Sequence, residues 1–416
     1  MVMQWVNALS TRPSLEAAVN EVVGAIQAQL SAPPQLGIVF LSSTFASDYP
    51  RLVPLLLEKL PLPVLLGCGG AGIIGMKGTL PLEIEQTPAL SLMVASLPEV
   101  TVQPFQINPD QLPDLDSPPQ HWWELLEVAP EHHPHFLLLC DPMTSGLTDL
   151  LAGLDFAYPQ AVKIGGLASG NVNPSSGNLF FFDQRRSSAT LYPQGIIGVA
   201  LWGNLQIDTV VAQGCRPIGE PIQVHQGERN IITEVLVPQG NRESLVARPP
   251  LEVLRELVQT LSEADQKLAQ ESLFVGLAMD EFKMALQAGD FLIRNLLGVD
   301  PRYGAIAIGD RVRPGQRLQF HLRDGRTSAE DLTLLLDNYR LHQMGHLLPK
   351  GALMFSCLGR GESLYGKPNF DAELFSHYLP QIPLGGFFCN GEIGPVGHST
   401  FLHGYTSAFA IFRPLY

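Results

Sequence analysis

A thiol, an amide and a carboxylate stand close together near the carboxyl end of the chain, in the order Cys389, Asn390 and Glu392. They are interleaved with Gly386 and Gly391 and follow directly after an apolar run. A thiol becomes a nucleophile when a neighbouring base or cation lowers its pKa, and an amide and a carboxylate can orient a polar ligand. Glycine lets a ligand or a second strand approach the main chain closely. This stretch therefore predicts a binding or reactive site at a strand end.

Arg360 supplies a cation that complements this set, because it stands between two glycines after another apolar run. A guanidinium can hold a carboxylate or phosphate through two parallel hydrogen bonds. Together with Asn390 and Glu392, it would offer the groups that hold a zwitterion such as an amino acid. An internal ion pair of Arg360 with Glu392 or Glu362 is the alternative interpretation.

Other reactive patterns are weaker. Cys389 is followed in sequence by Glu392 and two histidines, but a small buried thiol at a strand end is the favoured interpretation. Arg294 and Asp310 form a secondary candidate pair for ligand binding. Histidines in the proline-rich loop at residues 121–135 have no carboxylate or thiol at metal-binding spacing, so no metal site is predicted.

The glycine-rich stretch at residues 382–397 has two relatives in the same chain, at residues 66–72 and 164–171. The second of these carries Ser169 and Asn171 as candidate ligand contacts. A short apolar run ending in a small polar residue precedes each stretch. The recurrence predicts three units of strand, connection and glycine-rich strand, with the three strand ends facing a shared crevice.

No cofactor is predicted from these glycines. Residues 67–72 match the spacing G-x-G-x-x-G, but the following segment is too rich in glycine and proline to form the helix that a dinucleotide site requires.

Amino-acid composition and net charge argue against several classes of function. The 416 residues are 45% hydrophobic, and 40 acidic against 26 basic residues give a net charge of −14. This charge argues against binding to nucleic acid or to an anionic membrane surface. The five cysteines are not closely paired, which favours a reducing cytoplasm over a disulfide framework. Neither a signal peptide nor a membrane span is expected.

The order of the elements predicts an α/β fold of mixed α+β character, with two related halves whose mixed sheets are flanked by helices. Ser14 is predicted to cap a first helix that extends to Leu30. A tight hairpin turn is predicted at Gly203 and Asn204. The predicted domains are residues 1–222 and 223–416.

The motifs of the second half closely resemble the C-terminal domain of the FIST sensory family, at residues 291–300, 309–315, 320–324, 357–361, 385–395 and 402–406. The first half is similar to the FIST N-terminal domain through residues 164–170 and 198–203. This resemblance implies a bacterial ligand-sensing module of signal transduction that binds small molecules, with amino acids among the expected ligands. It implies no catalytic residue, and it implies that any output comes from a partner protein.

Three hypotheses follow for function. The first is a cytoplasmic sensory protein that binds a small ligand and is not an enzyme, with the ligand held by residues Arg360, Asn390, Glu392, Cys389, Gly386, Gly391, Ser169, Asn171 and Arg294. The second is an enzyme that uses Cys389 as its nucleophile. The third is a scaffold that binds a peptide segment of another protein.

Overall fold

The structure, a computed structural model, describes residues 2–170, 177–186, 188–239, 244–286, 288–343 and 345–416. The chain forms two compact units. The first consists of Met1–Ala212 and Thr333–Tyr416, and the second of Gln213–Leu332. No helix in the described ranges has the length and apolar character needed to cross a membrane.

The first unit opens with a repeat of six strands and two helices. Its elements are β1 (Gln4–Ser10), α1 (Leu15–Gln29), β2 (Leu36–Ser42), α2 (Tyr49–Lys59), β3 (Val64–Gly70), β4 (Ile73–Lys77), β5 (Leu80–Ile84) and β6 (Leu90–Ser96). The predicted first helix is confirmed as α1, and the hydroxyl of Ser14 accepts a hydrogen bond from the Ala17 N–H at 3.3 Å. Such a cap satisfies one of the free N–H groups at a helix start.

A second repeat follows in the same order. Its elements are β7 (Val100–Ile107), α3 (Pro119–Leu126), β8 (His135–Cys140), α4 (Leu147–Ala157), β9 (Lys163–Leu167), β10 (Leu179–Asp183), β11 (Ser188–Tyr192) and β12 (Ile196–Gly203).

The second unit interrupts a third repeat that begins with β13 (Gln206–Ala212). Its elements are β14 (Arg216–Glu228), β15 (Ile231–Gln239), β16 (Ser244–Arg248), α5 (Pro250–Thr260), α6 (Glu263–Glu271), β17 (Leu273–Ala278), β18 (Phe291–Asp300), β19 (Ala305–Ile308), β20 (Arg317–Leu322) and the start of α7 (Gly325–His342). The strands are ordered β14-β20-β17-β18-β19-β15-β16, and β14 also pairs with β15. Six antiparallel strands therefore form a closed ring.

The third repeat then continues in the first unit. It contains β21 (Gly351–Cys357), α8 (Glu362–Tyr365), α9 (Phe370–Tyr378), β22 (Leu384–Cys389), β23 (Glu392–Val396), β24 (Ser399–His403) and β25 (Ser407–Arg413).

The three repeats build three six-stranded mixed sheets, ordered β1-β6-β2-β3-β10-β11, β7-β12-β8-β9-β23-β24 and β13-β25-β21-β22-β4-β5. Each sheet has one parallel pair at its centre: β2 with β3, β8 with β9, and β21 with β22. A helix connects the strands of each parallel pair, as parallel neighbours require. The predicted mixed α/β fold and its threefold recurrence are confirmed.

The hairpin after each glycine-rich strand leaves its own repeat and pairs with the glycine-rich strand of another. The hairpin β4–β5 joins β22, β10–β11 joins β3, and β23–β24 joins β9. This cyclic exchange ties the three repeats into one unit, although the third repeat is separated in sequence from the first two.

The three sheets share one apolar core. Phe40 of β2 stacks on Phe387 of β22 with ring centroids 4.9 Å apart, and Trp5 of β1 stacks on Phe412 of β25 at 4.2 Å. Leu137 of β8 belongs to the same buried cluster. Separate apolar clusters bury α1 and α2 against the first sheet, and α3 and α4 against the second.

Two sequence-based predictions differ from the structure. The predicted boundary at residues 222 and 223 lies inside β14, whereas the compact second unit begins at Gln213 and ends at Leu332. The predicted hairpin at Gly203 and Asn204 is wrong, because β12 pairs with β7 and β8 while β13 pairs with β25. No local sequence pattern reveals the unit boundary or the strand pairing, because both depend on which distant strand supplies the hydrogen bonds.

Candidate functional site

One glycine in each repeat lies at the same register of its parallel strand pair. A side chain at any of these positions would collide with the main chain of the neighbouring strand. A Cβ added at Gly67 would lie 1.9 Å from the carbonyl oxygen of Val39. A Cβ at Gly165 would lie 1.8 Å from that of Leu138, and a Cβ at Gly386 would lie 1.9 Å from that of Met354. These positions therefore require glycine, and Gly386 serves the packing of the third sheet.

The three glycine-rich strand ends meet and are joined by main-chain hydrogen bonds. The bonds run from Ser169 N–H to Gly69 O at 3.0 Å, from Phe388 N–H to Gly72 O at 2.9 Å, from Leu167 N–H to Gly391 O at 2.8 Å and from Asn390 N–H to Leu167 O at 3.1 Å. Every pair of strand ends is linked, so residues far apart in sequence surround one place in the first unit. In α/β proteins, the carboxyl ends of parallel strands are the usual position of a ligand site.

Ser169 lies at the point where the strand ends meet. Its hydroxyl accepts a hydrogen bond from the Ala71 N–H at 2.8 Å and donates one to the Phe388 carbonyl. The side chain is buried, with 1% of its surface exposed. Ser169 therefore joins strand ends from all three repeats. Asn171, the other candidate from this stretch, lies outside the described residues.

Glu392 distinguishes the third repeat from the other two. Glu392 of β23 pairs with Gly166 of β9. In the equivalent pairings of β4 with β22 and of β10 with β3, the same position is occupied by Ile73 and Leu179. The Glu392 side chain is fully buried, and its Oε2 accepts a hydrogen bond from the Thr406 N–H at 3.1 Å. A buried carboxylate therefore replaces an aliphatic side chain at one of three equivalent places.

Two buried serines lie on the strands that precede and follow this carboxylate. Ser407, the residue after Thr406, is opposite Ser356 in the pairing of β25 with β21. Both side chains are fully buried, and neither hydroxyl has a hydrogen-bond partner among the residues that the structure describes. Leaving a buried polar group without a partner costs about 1 to 3 kcal/mol. Polar groups concentrated here can receive the donors of a bound molecule.

Cys389 lies in surroundings that keep its thiol protonated. The side chain is fully buried. Burial raises the pKa of the Cys389 thiol well above its ordinary value, and the nearby Glu392 and the thiols of Cys68 and Cys357 raise that pKa further. A thiol nucleophile needs the opposite environment, with exposure and a neighbouring cation. The geometry therefore argues against the hypothesis that Cys389 is a nucleophile.

Arg360 is fully buried and holds Asp371 through two hydrogen bonds, Nε to Oδ2 at 2.7 Å and Nη2 to Oδ1 at 3.0 Å. Tyr365 accepts a further hydrogen bond from Nη2, and the Tyr405 carbonyl accepts one from Nη1 at 3.4 Å. The ion partners predicted from the sequence were Glu392 and Glu362, whereas the structure pairs Arg360 with Asp371, the second residue of α9. Asp371 shares no sequence motif with Arg360. A ligand anion at Arg360 would have to compete with Asp371.

The remaining candidate ligand contacts are Asn390, Gly391 and Arg294. The Asn390 side chain is exposed beside the joined strand ends. A side chain at Gly391 would come within 2.9 Å of Leu402, so this glycine also relieves crowding. Arg294 belongs to the second unit, where its Nε lies 2.7 Å from Asp310 Oδ2.

Glu83 extends the charged cluster around Arg360. Its Oε1 accepts a hydrogen bond from the Ala372 N–H at 2.7 Å, and 4% of the side chain is exposed. The pKa of Glu83 is raised to about 8, mainly by burial and also by the carboxylates Asp371 and Glu85, although Arg360 acts in the opposite direction.

This pKa predicts a pH-dependent effect of Glu83→Gln. The pKa of Glu83 is about 8 in the folded protein and about 4.5 in the unfolded chain. The free energy of unfolding therefore falls progressively as pH rises from about 4.5 to about 8, because Glu83 ionises more readily in the unfolded chain. Glutamine does not ionise, but its amide N–H groups need partners in the same buried place, at a cost of about 1 kcal/mol or more. We expect the variant to be less stable than the wild type at pH 5 and at least as stable at pH 8, by urea unfolding. A difference in stability between variant and wild type that does not change with pH would contradict this prediction.

Family models match most of the chain. The FIST N domain matches residues 35–235, and the FIST C domain matches residues 250–395.

Whole-length relatives occur in mycobacteria. An uncharacterized protein of Mycobacterium tuberculosis is 32% identical over 405 residues, which cover 97% of this chain and 98% of the relative. An uncharacterized protein of Mycobacterium bovis is 32% identical over 403 residues, which cover 97% of each chain. F-box only protein 22 of Homo sapiens is 52% identical over 42 residues, which cover 10% of each chain.

Among solved structures, cyanuric acid hydrolase from A. caulinodans aligns over 99% of each chain, with 9% identity and a TM-score of 0.34.

Proposed function

Because the chain belongs to the FIST family of sensory domains, we propose that it is a small-ligand-binding protein of intracellular signal transduction that acts through a partner protein. The ligand binds where the three glycine-rich strand ends of the first unit meet. Amino acids and related molecules with an ammonium group are the expected class of ligand.

The observation that carries this proposal is the buried carboxylate of Glu392. Burying a carboxylate is costly unless hydrogen bonds or a cation compensate for the lost water. Its equivalents Ile73 and Leu179 are apolar, so the strand pairing itself does not require a charge at this register. An ammonium group is a suitable further partner for a buried carboxylate, and the hydroxyls of Ser356 and Ser407 would add polar contacts. The exposed amide of Asn390 would contact the outer part of the ligand.

The cysteines support the cellular side of the proposal. None of the five forms a disulfide, as suits a reducing cytoplasm.

The proposal is tested by a thermal-shift screen against the twenty amino acids, simple amines and organic acids. A ligand at about 100 times its dissociation constant adds about 2.7 kcal/mol of stability. We expect amines or amino acids to raise the unfolding temperature. Glu392→Gln should weaken that binding by about ten- to a hundredfold, the loss expected when a hydrogen bond to a charged group is removed.

Glu83→Gln is the matched control, because Glu83 is also a buried carboxylate of the first unit but accepts its hydrogen bond from the Ala372 N–H of α9. It should leave the affinity unchanged. Equal losses in both variants, or a ligand shift that survives in Glu392→Gln, would reject the assigned site. A screen without any shift, together with a stoichiometric partner in a pull-down, would favour the protein scaffold instead.

A further inference from the structure

The turn between β14 and β15 in the second unit places an arginine in an unfavourable backbone conformation. Arg229 has φ of +56°, in the left-handed region. Two-residue hairpin turns ordinarily give such positions to glycine, asparagine or aspartate. A side chain that tolerates this strain is a candidate for a role of its own.

The turn is held firmly against the loop that follows β19. The Val312 N–H donates to the Arg229 carbonyl at 2.7 Å, and the Ile308 N–H donates to the Asn230 carbonyl at 2.9 Å. The Asn230 amide donates back to the Ile308 carbonyl at 3.2 Å. Three hydrogen bonds therefore fix Arg229 relative to the neighbouring loop.

A cleft of about 680 Å³ lies between this turn and that loop. Its walls include Arg229, Asn230, Leu297, Arg311 and Val312. A second cleft of about 490 Å³ adjoins Arg229 on the side of Ile231 and Thr233. The larger cleft is within the size range of sites that bind small molecules.

The charge in the larger cleft is positive although the chain carries a net charge of −14. Asp310, which also lines the cleft, is paired with Arg294 at 2.7 Å. Arg229 and Arg311 form no ion pair with any residue in the described part of the chain, and both side chains are exposed. Two guanidinium groups in one cleft match the planar oxygens of a carboxylate or phosphate.

We propose that this cleft of the second unit binds a small organic anion. Its charged group contacts Arg229 and Arg311, and its apolar body packs on Leu297, which is 60% exposed, and on Val312. The Asn230 amide is already bonded to Ile308, so the two arginines carry the recognition. This site is independent of the one at the strand ends of the first unit.

The test uses the intact chain and three probes with the same hexyl group: heptanoate, hexyl phosphate and hexanol. Calorimetric titration should detect binding of at least one of the two anions, with hexanol much weaker. The preferred anion shows whether a carboxylate or a phosphate fits the guanidinium pair. Arg229→Asn and Arg311→Gln should each weaken binding about ten- to a hundredfold. Asparagine tolerates the left-handed conformation, so the first variant should fold.

Arg302→Gln is the matched control, because Arg302 is an exposed arginine of the same unit that does not line the cleft. It should bind the anion as the wild type does. The proposal is overturned if neither anion binds at millimolar concentration, if hexanol binds equally well, or if all three variants lose affinity alike. Failure here leaves the amine response of Glu392 unaffected, so the two proposals are tested separately.

Discussion

Replacing Arg360 with methionine should lower the free energy of unfolding by about 3 to 5 kcal/mol, the usual cost of removing one partner of a buried ion pair. Arg360 and Asp371 are 0% and 1% exposed, and the two hydrogen bonds between them are 2.7 and 3.0 Å long. Without the guanidinium, the Asp371 carboxylate keeps only its hydrogen bond from Tyr365 at 2.8 Å among these contacts. Urea unfolding followed by circular dichroism measures the loss.

The double variant Arg360→Met/Asp371→Leu should recover most of that loss, because replacing both buried charges with apolar groups removes the uncompensated ion. Arg340→Met is the matched control. Arg340 forms an ion pair with Asp337 at 3.1 Å in which the side chains are 59% and 41% exposed. Exposed pairs contribute about 0 to 1 kcal/mol. A loss in Arg360→Met no larger than in this control would contradict the buried pair.

Replacing Gly165 with alanine should destabilise the first unit by about 4 kcal/mol or more, at the exceptional end of single substitutions. The added Cβ would lie 1.8 Å from the Leu138 carbonyl oxygen, and the φ of Gly165 is +158°. The oxygen belongs to the main chain of the neighbouring parallel strand, so it cannot move aside without breaking the sheet. Thermal unfolding and the yield of folded protein measure the effect.

Gly24→Ala is the control for this prediction. Gly24 lies inside α1, is exposed, and has no atom within 4 Å of its added Cβ. Alanine should therefore stabilise the helix by about 0.5 to 1 kcal/mol. If Gly165→Ala unfolds at the temperature of the wild type, the strand register given by the structure is wrong.

The sequence located the groups of the proposed site but not their partners. Cys389, Asn390 and Glu392 stand out because reactive and polar side chains follow an apolar run, which is a local pattern. Asp371, Thr406 and Ser407 gave no such signal. Their importance depends on long-range pairing, which one sequence does not record.

The sequence by itself determined that three similar segments of strand, connection and glycine-rich strand recur in a mixed α/β protein. Apolar runs, helical periodicity and glycine are local properties of the chain, so the residues report them directly. Only the tertiary structure decided that each hairpin pairs with another repeat, that residues 213–332 interrupt the third repeat, and that Arg360 holds Asp371. Each depends on contacts between segments far apart in the chain, and the free energy of those contacts depends on the whole packed arrangement rather than on any one segment.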